Sequence, residues 1–437
     1  MNLFQSHPKA LPFLFFVEMW ERFSYYGMRG LLVLYATKQL LFSDKEAGSL
    51  YGYYTALVYF TPVTGGYISD HYLGWKKSII LGSVTMALGH ASLALSGLNF
   101  FYIGLGFLVV GNGFFKPNMS NLVGLLYGDD TTKKDSGFTI FYMGINLGAF
   151  LGSLACGYLG ETQGWEYGFG LAGIGMVLGL ILFLITDSLK ILPNRKNFLD
   201  ATPSKDNSKT QNRFSTSESS ESQNVKQTNT SWKKEYNHLL GILCFLMIFN
   251  IVFWLGFEQV GSSINLFTDR YLDRKIFDFT IPASMFQSIN PFLIMFLSIP
   301  FSIFLEKRNL TGMGKFSLGL SLLGLGFFFI SFSAIGIETS TAQISPIWLV
   351  LAIFLHTIGE LCVSPIGLSK VHSLAPIGYG GIFLGIWFFS NAIAHYAAGY
   401  FSGFMSETSI SIFFGSFGVL ALSFGLIAFF FRNRIKI

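Results

Sequence analysis

The sequence predicts an all-α membrane protein of twelve transmembrane helices in two six-helix halves, with both termini cytoplasmic. Three observations carry that prediction. Of 437 residues, 51% are hydrophobic and only 12% charged, against about 25% charged in an ordinary soluble chain. Apolar stretches long enough to cross a bilayer recur twelve times, and Lys and Arg collect in alternate loops. A soluble fold so poor in charge would expose large apolar patches. A cytosolic enzyme, a disordered regulator and a secreted disulfide scaffold are excluded.

A span needs about 20 mainly apolar residues to cross roughly 30 Å of hydrocarbon. The stretches fall at 12–37, 48–69, 78–98, 100–124, 137–160, 167–187, 237–258, 283–305, 314–336, 345–369, 379–403 and 408–431. They are helical because a helix satisfies its own backbone, and none shows the alternation of a barrel strand. With both termini inside, the cytoplasmic parts hold 21 Lys and Arg and the outer loops five (Lys38, Lys45, Arg270, Arg274, Lys275). That asymmetry fixes the orientation. The basic residues therefore mark topology, and no nucleic-acid partner is expected. Met1 to Lys9 is polar and runs into apolar sequence without a small-residue cleavage site, so no removable signal peptide is expected.

Between spans six and seven lies a polar stretch, 188–236. From Ala201 to Ser231, 20 of 31 residues are Ser, Thr, Asn or Gln. Such a segment buries too little apolar surface to order itself. The expected organisation is an N-terminal six-helix bundle (1–187), a disordered cytoplasmic linker (188–236) and a C-terminal six-helix bundle (237–437). Six plus six about a central loop is the layout of the major facilitator superfamily, whose halves rock about a midplane site. The run from Gly65 to Lys77, with Gly66, Asp70 and Gly74, resembles that superfamily's loop signature between spans two and three. There Asp70 is expected to clamp helix ends, and the glycines to permit close approach. A generic glycine turn beside positive-inside lysines is the plainer alternative.

Seven charges stand out inside the spans, away from the cytoplasmic span ends: Glu18, Glu21, Arg22 and Arg29 in span one, Lys116 in span four, Glu258 ending span seven, and Glu360 in span ten. A charge at mid-membrane costs about 2.5–3.5 kcal/mol on insertion scales and usually faces a working cavity. At about 100° per residue, Glu18, Glu21, Arg22, Tyr25, Tyr26 and Arg29 share one arc of about 140° on span one. Glu18 and Arg22 are i,i+4 partners. A carboxylate paired to arginine in a low-dielectric cavity changes protonation when another ligand takes the arginine. A static ion network, a snorkelling Lys116 and an interfacial Glu258 are the structural alternatives.

The N-terminal half holds all three buried cations, and the C-terminal half holds only Glu258 and Glu360. A cavity between them suits a zwitterion, its carboxylate toward the first half and its amine toward the second. The seven charges sum to −1, an excess that bound protons would relieve. His90, His356 and His395 are expected to bond neighbouring helices through one ring nitrogen, and Cys156, Cys244 and Cys362 to be buried thiols. Nothing has metal-ligand spacing, a phosphate-cradling loop or a hydrolase setting. No metal or cofactor is expected.

The segment Glu18 to Gly27, EMWERFSYYG, closely resembles the ExxERFxYYG signature of the proton-dependent oligopeptide transporter family. Further matches are Phe115–Asn118, Phe141–Gly148, Phe253–Ser263, Gln287–Pro291, and Gly359–Leu361 with Ser364–Pro365. The resemblance implies uptake of di- and tripeptides driven by an inward proton gradient, through alternating access. It implies a proton-coupling cluster of Glu18, Glu21 and Arg22, with Glu258 coupling protonation to Arg29. Arg22, Arg29 and Lys116 would receive the peptide carboxylate, and Asn146, Asn290 and Glu360 its amine and backbone. Tyr25, Tyr26, Tyr54, Trp254 and Trp387 would line side-chain pockets, and Lys116–Glu360 would gate the cytoplasmic side.

Two features depart from the family pattern. Many bacterial members carry two helices between the halves, and here that interval is polar. Where members often have Ser four residues after the span-eleven Trp, this chain has Asn391, which bears on pocket selectivity. The span-two histidine of animal members is also missing, so proton chemistry falls on the carboxylates. The expected setting is the plasma membrane (the inner membrane of a Gram-negative cell), as a monomer in the lipid bilayer. Symport of another small anion such as nitrate or of an amino-acid derivative, or a sensor that has lost transport, remain the alternatives. A membrane-embedded enzyme has no nucleophile or metal constellation to support it.

Overall fold

The structure, a computed structural model, describes residues 6–128, 130–193, 221–308, 310–339, 342–374 and 380–433, with backbone alone at 131–132, 221–237, 338, 365–374, 380–382 and 384. Most of the linker predicted at 188–236 lies outside the described residues. The first half comprises α1 (Leu11–Lys38), α2 (Asp44–Ile68), α3 (Trp75–Leu93), α4 (Leu98–Leu125), α5 (Thr131–Thr162) and α6 (Trp165–Ser188). The second begins with α7 (Glu221–Phe257), a helix that starts inside the stretch predicted as linker. A 3-10 turn (Glu258–Gly261) joins α7 to α8 (Ser263–Tyr271). Then come a hairpin of β1 (Lys275–Ile276) with β2 (Phe279–Thr280), a second 3-10 segment (Ala283–Ser288) and α9 (Ile289–Lys307). The helices α10 (Gly312–Ser333), α11 (Ile347–Leu374), α12 (Gly380–Ser402) and α13 (Ile410–Phe431) complete it.

Among the described residues the helices make twelve spans, with α7 and α8 forming the seventh. Among the described residues, eight spans (α4, α5, α6, α7 with α8, α9, α10, α11 and α13) are long and apolar enough to cross a membrane by length and composition. The first falls short of that measure because α1 buries Glu18, Glu21, Arg22 and Arg29. Large apolar side chains such as Leu88, Ile174, Phe296 and Phe430 point outward, while polar ones turn inward. Cys156 and Cys362 are buried as expected; Cys244 is exposed on the outside of the bundle, where a thiol is as well suited to an apolar surrounding.

Small residues set the helix approaches, as they do where lipid removes the hydrophobic drive between helices. Along the α1–α5 seam a Cβ at Gly144, Gly148 or Gly152 would strike the backbone of Phe15, Met19 and Phe23 respectively. One turn further, Gly27 of α1 lies against Cys156. Both numbers rise together, so the two helices run parallel with four-residue steps. This seam fixes the rotation of α1 and so the direction of its charged face. Across the halves, Gly48 and Gly52 of α2 meet Gly399 of α12 and Gly403 just past its end.

The loop signature after span two is a π-helical turn, Ser69–Leu73, closed by Gly74 in the left-handed region (φ 77°), where α3 starts. Asp70 is exposed in that turn. The close approach expected of Gly66 belongs to Gly65: a Cβ there would strike the Gly113 carbonyl of α4, whereas one at Gly66 would find ordinary contact with Pro117 at 3.7 Å.

Span seven departs most from expectation. The sequence predicts Glu258 at the helix end, but the span runs on through α8 to Tyr271, and the 3-10 turn sits deep in the protein. Glu258 is 2% exposed, which excludes the interfacial alternative.

Because the α1–α5 seam has no room for a side chain at its centre, Gly148→Val should destabilise the protein by about 1–3 kcal/mol, the usual range for overpacking. The check is the melting temperature in detergent, with Gly170→Ala, where an added Cβ meets nothing within 4 Å, as the tolerated control.

Candidate functional site

The charged face of α1 supplies two separate clusters. In the first, the single Nε–H of Arg22 donates to Glu18 Oε1 at 2.9 Å. The same nitrogen lies 2.6 Å from Glu21 Oε2. One N–H cannot point at both carboxylates, so Glu21 has charge contact but no hydrogen bond among the described residues. All three side chains are buried. Arg22 also lies over the Tyr25 ring.

The second cluster, two turns along, joins the halves. Arg29 forms an ion pair with Glu258 of the 3-10 turn, and its Nε donates to the Tyr51 hydroxyl at 2.7 Å. Tyr51 in turn donates to Glu258 Oε2 at 3.1 Å. His395 of α12 brings Nδ1 to 3.1 Å from the same oxygen. The break in span seven makes this possible, since it presents Glu258 toward α1.

Around Arg29 and Glu258 lies a cavity of about 140 Å³ between the halves. Tyr26, Tyr59, Tyr142 and Asn146 line it from the first half; Trp254, Gln287, Asn290 and Glu360 line it from the second. Asn290 donates to Glu360 Oε2 at 2.9 Å and to the Thr357 hydroxyl at 3.0 Å, fixing the carboxylate at the cavity wall. The volume is below the roughly 300–1,000 Å³ of common small-molecule sites. A tripeptide enters only if the halves part.

Not every predicted site residue reaches this cavity. Tyr25 and Tyr54 lie behind it, beside Glu21. Asn391 accepts from Asn250 of α7 at 2.6 Å, in a buried knot with Ser390, whose hydroxyl donates to the Trp387 carbonyl at 2.6 Å. Trp387 is buried within the second half. Lys116 stands over the Tyr59 ring, 4.4 Å from its centroid. No ion pair joins Lys116 to Glu360 among the described residues, so the expected cytoplasmic gate is not formed here; each has a partner of its own.

Closure lies at the other end of the molecule, which the positive-inside count assigns to the outside. Arg270 of α8 grips Asp44 of α2 with two hydrogen bonds, 2.7 and 2.6 Å, and Lys38 pairs with Asp269 at 2.6 Å. Glu161 at the end of α5 accepts from the backbone N–H groups of Ala283 and Ser284 at 3.0 and 2.7 Å, capping the 3-10 segment across the halves. Asn265 donates to the Gly30 carbonyl at 2.8 Å.

Sequence reasoning missed Tyr59, Tyr142, Gln287 and His395. Tyr142 and Gln287 stood within matched family segments, and Tyr59 lies about one turn beyond Tyr54. Two of the three span histidines behave as expected: His90 meets the Ser24 hydroxyl at 2.7 Å and His356 the Leu323 carbonyl at 3.1 Å. His395 also reaches a neighbouring element through one ring nitrogen, but its neighbour is the Glu258 carboxylate, 3.1 Å from Nδ1.

The comparisons agree with this arrangement. Residues 76–420 match the profile described as the POT family. The chain belongs to the POT family. It is similar to the peptide transporter YePEPT of Yersinia enterocolitica, 34% identical over 94% of this chain and 90% of that protein. Dipeptide and tripeptide permease B of Xenorhabdus bovienii is 28% identical over 89% of this chain and 85% of its own length. Among solved structures, a variant of peptide transporter POT in complex with alafosfalin superposes with a TM-score of 0.83 at 31% identity, covering 99% of this chain and 96% of that one. A POT family transporter in complex with 5-aminolevulinic acid gives 0.82 at 27% identity, covering 99% and 98%. The twelve-helix arrangement is thus the major facilitator fold of this family of transporters, and the chain is not an enzyme.

Removing one member of a buried ion pair strands the other, at a cost of about 3–5 kcal/mol. Arg29→Ala should therefore lower the melting temperature sharply, and adding Glu258→Gln should recover much of the loss. Equal melting temperatures for the single and double variants would show that Glu258 is not left stranded by the loss of Arg29.

Proposed function

We propose that this chain is a proton-coupled symporter that imports di- and tripeptides by alternating access, working as a monomer in the plasma membrane with protons as its coupling ion and no cofactor. The observation that carries the reading is the cavity itself: Arg29 faces it from the first half, and Glu360, held by Asn290, faces it from the second. A peptide carboxylate placed against Arg29 competes with Glu258 for the guanidinium. Glu258 then needs a proton or another partner, since an unpaired buried charge is costly. Binding and protonation are coupled in that exchange. Glu360 supplies the opposite pole for the peptide amine, which a plain anion would leave unanswered.

Glu18, Glu21 and Arg22 form a second exchange of the same kind, closer to Lys116. Glu21, which lacks a hydrogen bond, is the member free to gain and lose a proton without breaking one. The ion pairs at the outer end hold that side shut, and their rupture as Lys116 meets Glu360 would reverse access. The two six-helix halves move as bodies about the cavity, with the polar segment between them on the cytoplasmic side. The relatives named as peptide transporters, and the neighbour holding 5-aminolevulinic acid, support a ligand with a free carboxylate and amine.

The decisive experiment is pH-gradient-driven uptake in proteoliposomes with dialanine, trialanine and nitrate as competitors. Competition by both peptides and none by nitrate is expected. Competition by nitrate alone would transfer the fold to anion symport, and the absence of all three effects would leave the sensor reading. Glu21→Gln should abolish gradient-driven uptake while preserving some counterflow exchange; full accumulation by that variant removes Glu21 from the coupling role.

A further inference from the structure

His395 occupies a place that helix packing does not explain. It is 1% exposed, and neither ring nitrogen makes a hydrogen bond among the described residues. Leaving buried polar atoms without partners is unfavourable unless something else holds them. What stands against it is Glu258 Oε2, 3.1 Å from Nδ1 but off the direction that a hydrogen bond requires. The ring is stacked on Tyr59, with centroids 4.1 Å apart and planes at 22°, and it lies nearly parallel to Trp254 at 6.4 Å. Tyr59 and Trp254 both line the cavity. Whatever enters the cavity bears directly on the rings that set the tilt of His395.

The charged and titratable groups around it come from every neighbouring element. They are Arg29 of α1, Tyr51 and Tyr59 of α2, Glu258 of the 3-10 turn and Glu360 of α11 across the cavity, with Lys116 of α4 over the Tyr59 ring. Among the described residues α12 itself carries no other charged side chain. Of the three groups gathered on Glu258 Oε2, Arg29 carries a fixed charge and Tyr51 is neutral. The imidazole is the one of the three that can carry a proton on either ring nitrogen or on both.

We propose that His395 is the positioning residue that takes over Glu258 when a substrate carboxylate draws Arg29 away, and that it passes Glu258 the proton in that step. The inference rests on the symport reading above. As Arg29 leaves, a small rotation of the ring turns the Nδ1 contact into a hydrogen bond. The N–H bond at Nδ1 breaks as an O–H bond forms at Oε2. The imidazolium becomes a neutral imidazole that keeps its Nε2–H, and the carboxylate becomes a carboxylic acid. The proton is the coupling ion itself, so no further reactant is needed. The proton thereby passes from one group of the second half to another without leaving that half.

Two variants separate the roles. His395→Asn puts an amide nitrogen near the place of Nδ1, and His395→Gln puts one near Nε2; neither carries a proton at these pH values. For each, gradient-driven uptake of dialanine and counterflow are measured on the same proteoliposomes across pH 5.5–8. The ratio of gradient-driven to counterflow uptake should fall at least about fivefold, the lower end of ordinary coupling factors, and its pH dependence should flatten. A ratio and pH profile like those of the unaltered protein overturn the proposal. So does an equal loss of both activities, which marks a purely structural ring. Absence of gradient-driven uptake in the unaltered protein is a different result, because it removes the symport reading itself. Should neither variant fold, the imidazole 15N resonances of His395 in the unaltered protein decide: a protonation step that shifts on adding dialanine supports the proposal, and one that stays in place overturns it.

Discussion

Everything in this protein is arranged around the difficulty of keeping charge in a low-dielectric interior. The Arg29–Glu258 pair is the clearest instance, since its two members belong to different halves of the chain. Neither residue is comfortable alone, and each is made tolerable by the other with help from Tyr51. An ordinary core would resolve the matter with apolar side chains of similar volume, which are often as stable. An ion pair has a property that apolar packing lacks: a third charge can break it. The stability of the interface between the halves is therefore conditional on what occupies the cavity, which is what a carrier needs.

The rest of the architecture serves to aim these groups. The glycine seam between α1 and α5 leaves α1 no freedom to rotate, so its charged arc faces inward. The α2–α12 contact at Gly52 and Gly399 brings Tyr51 and His395 to the same oxygen. The outer ion pairs then hold the halves at one end while the cytoplasmic end has no such link between Lys116 and Glu360. On the proposed reading, the residues that would recognise a zwitterion also report, by which partners they have chosen, which side of the membrane is closed.

Much of this was legible in the sequence, and the parts that were not have identifiable causes. Span number and the seven buried charges follow from composition and position alone, because lipid punishes charge so heavily that its survival is informative. The co-facing of Glu18, Arg22 and Arg29 follows from helical periodicity. The break in span seven did not, because FEQVGSS reads as the end of a helix when the apolar run stops at a charge. The partner of His395 was not legible, since a histidine's partner is a tertiary fact; nothing near it in sequence names Glu258. Asn391 and Trp387 were placed in the pocket by likeness to a family pattern, whereas here Asn250 claims Asn391 from within the same half. Gly66 lost its role to Gly65 for the simplest reason, one residue of helix being 100° of rotation.

The interrupted seventh span has a mechanical meaning. Its inner part, α7, is bonded into its own half through Asn250. Its outer part, α8, is fastened to the other half by Asn265 on Gly30, Asp269 on Lys38 and Arg270 on Asp44. One covalent rod is thus shared between two bodies that must separate, with a four-residue joint at the boundary. Opening outward requires either that α8 tear free of three anchors at once or that it stay behind while the joint bends. In the second case the carboxylate of Glu258, seated at the pivot, sweeps the shortest arc of any group on the span, so the chemistry stays nearly stationary while the walls around it travel.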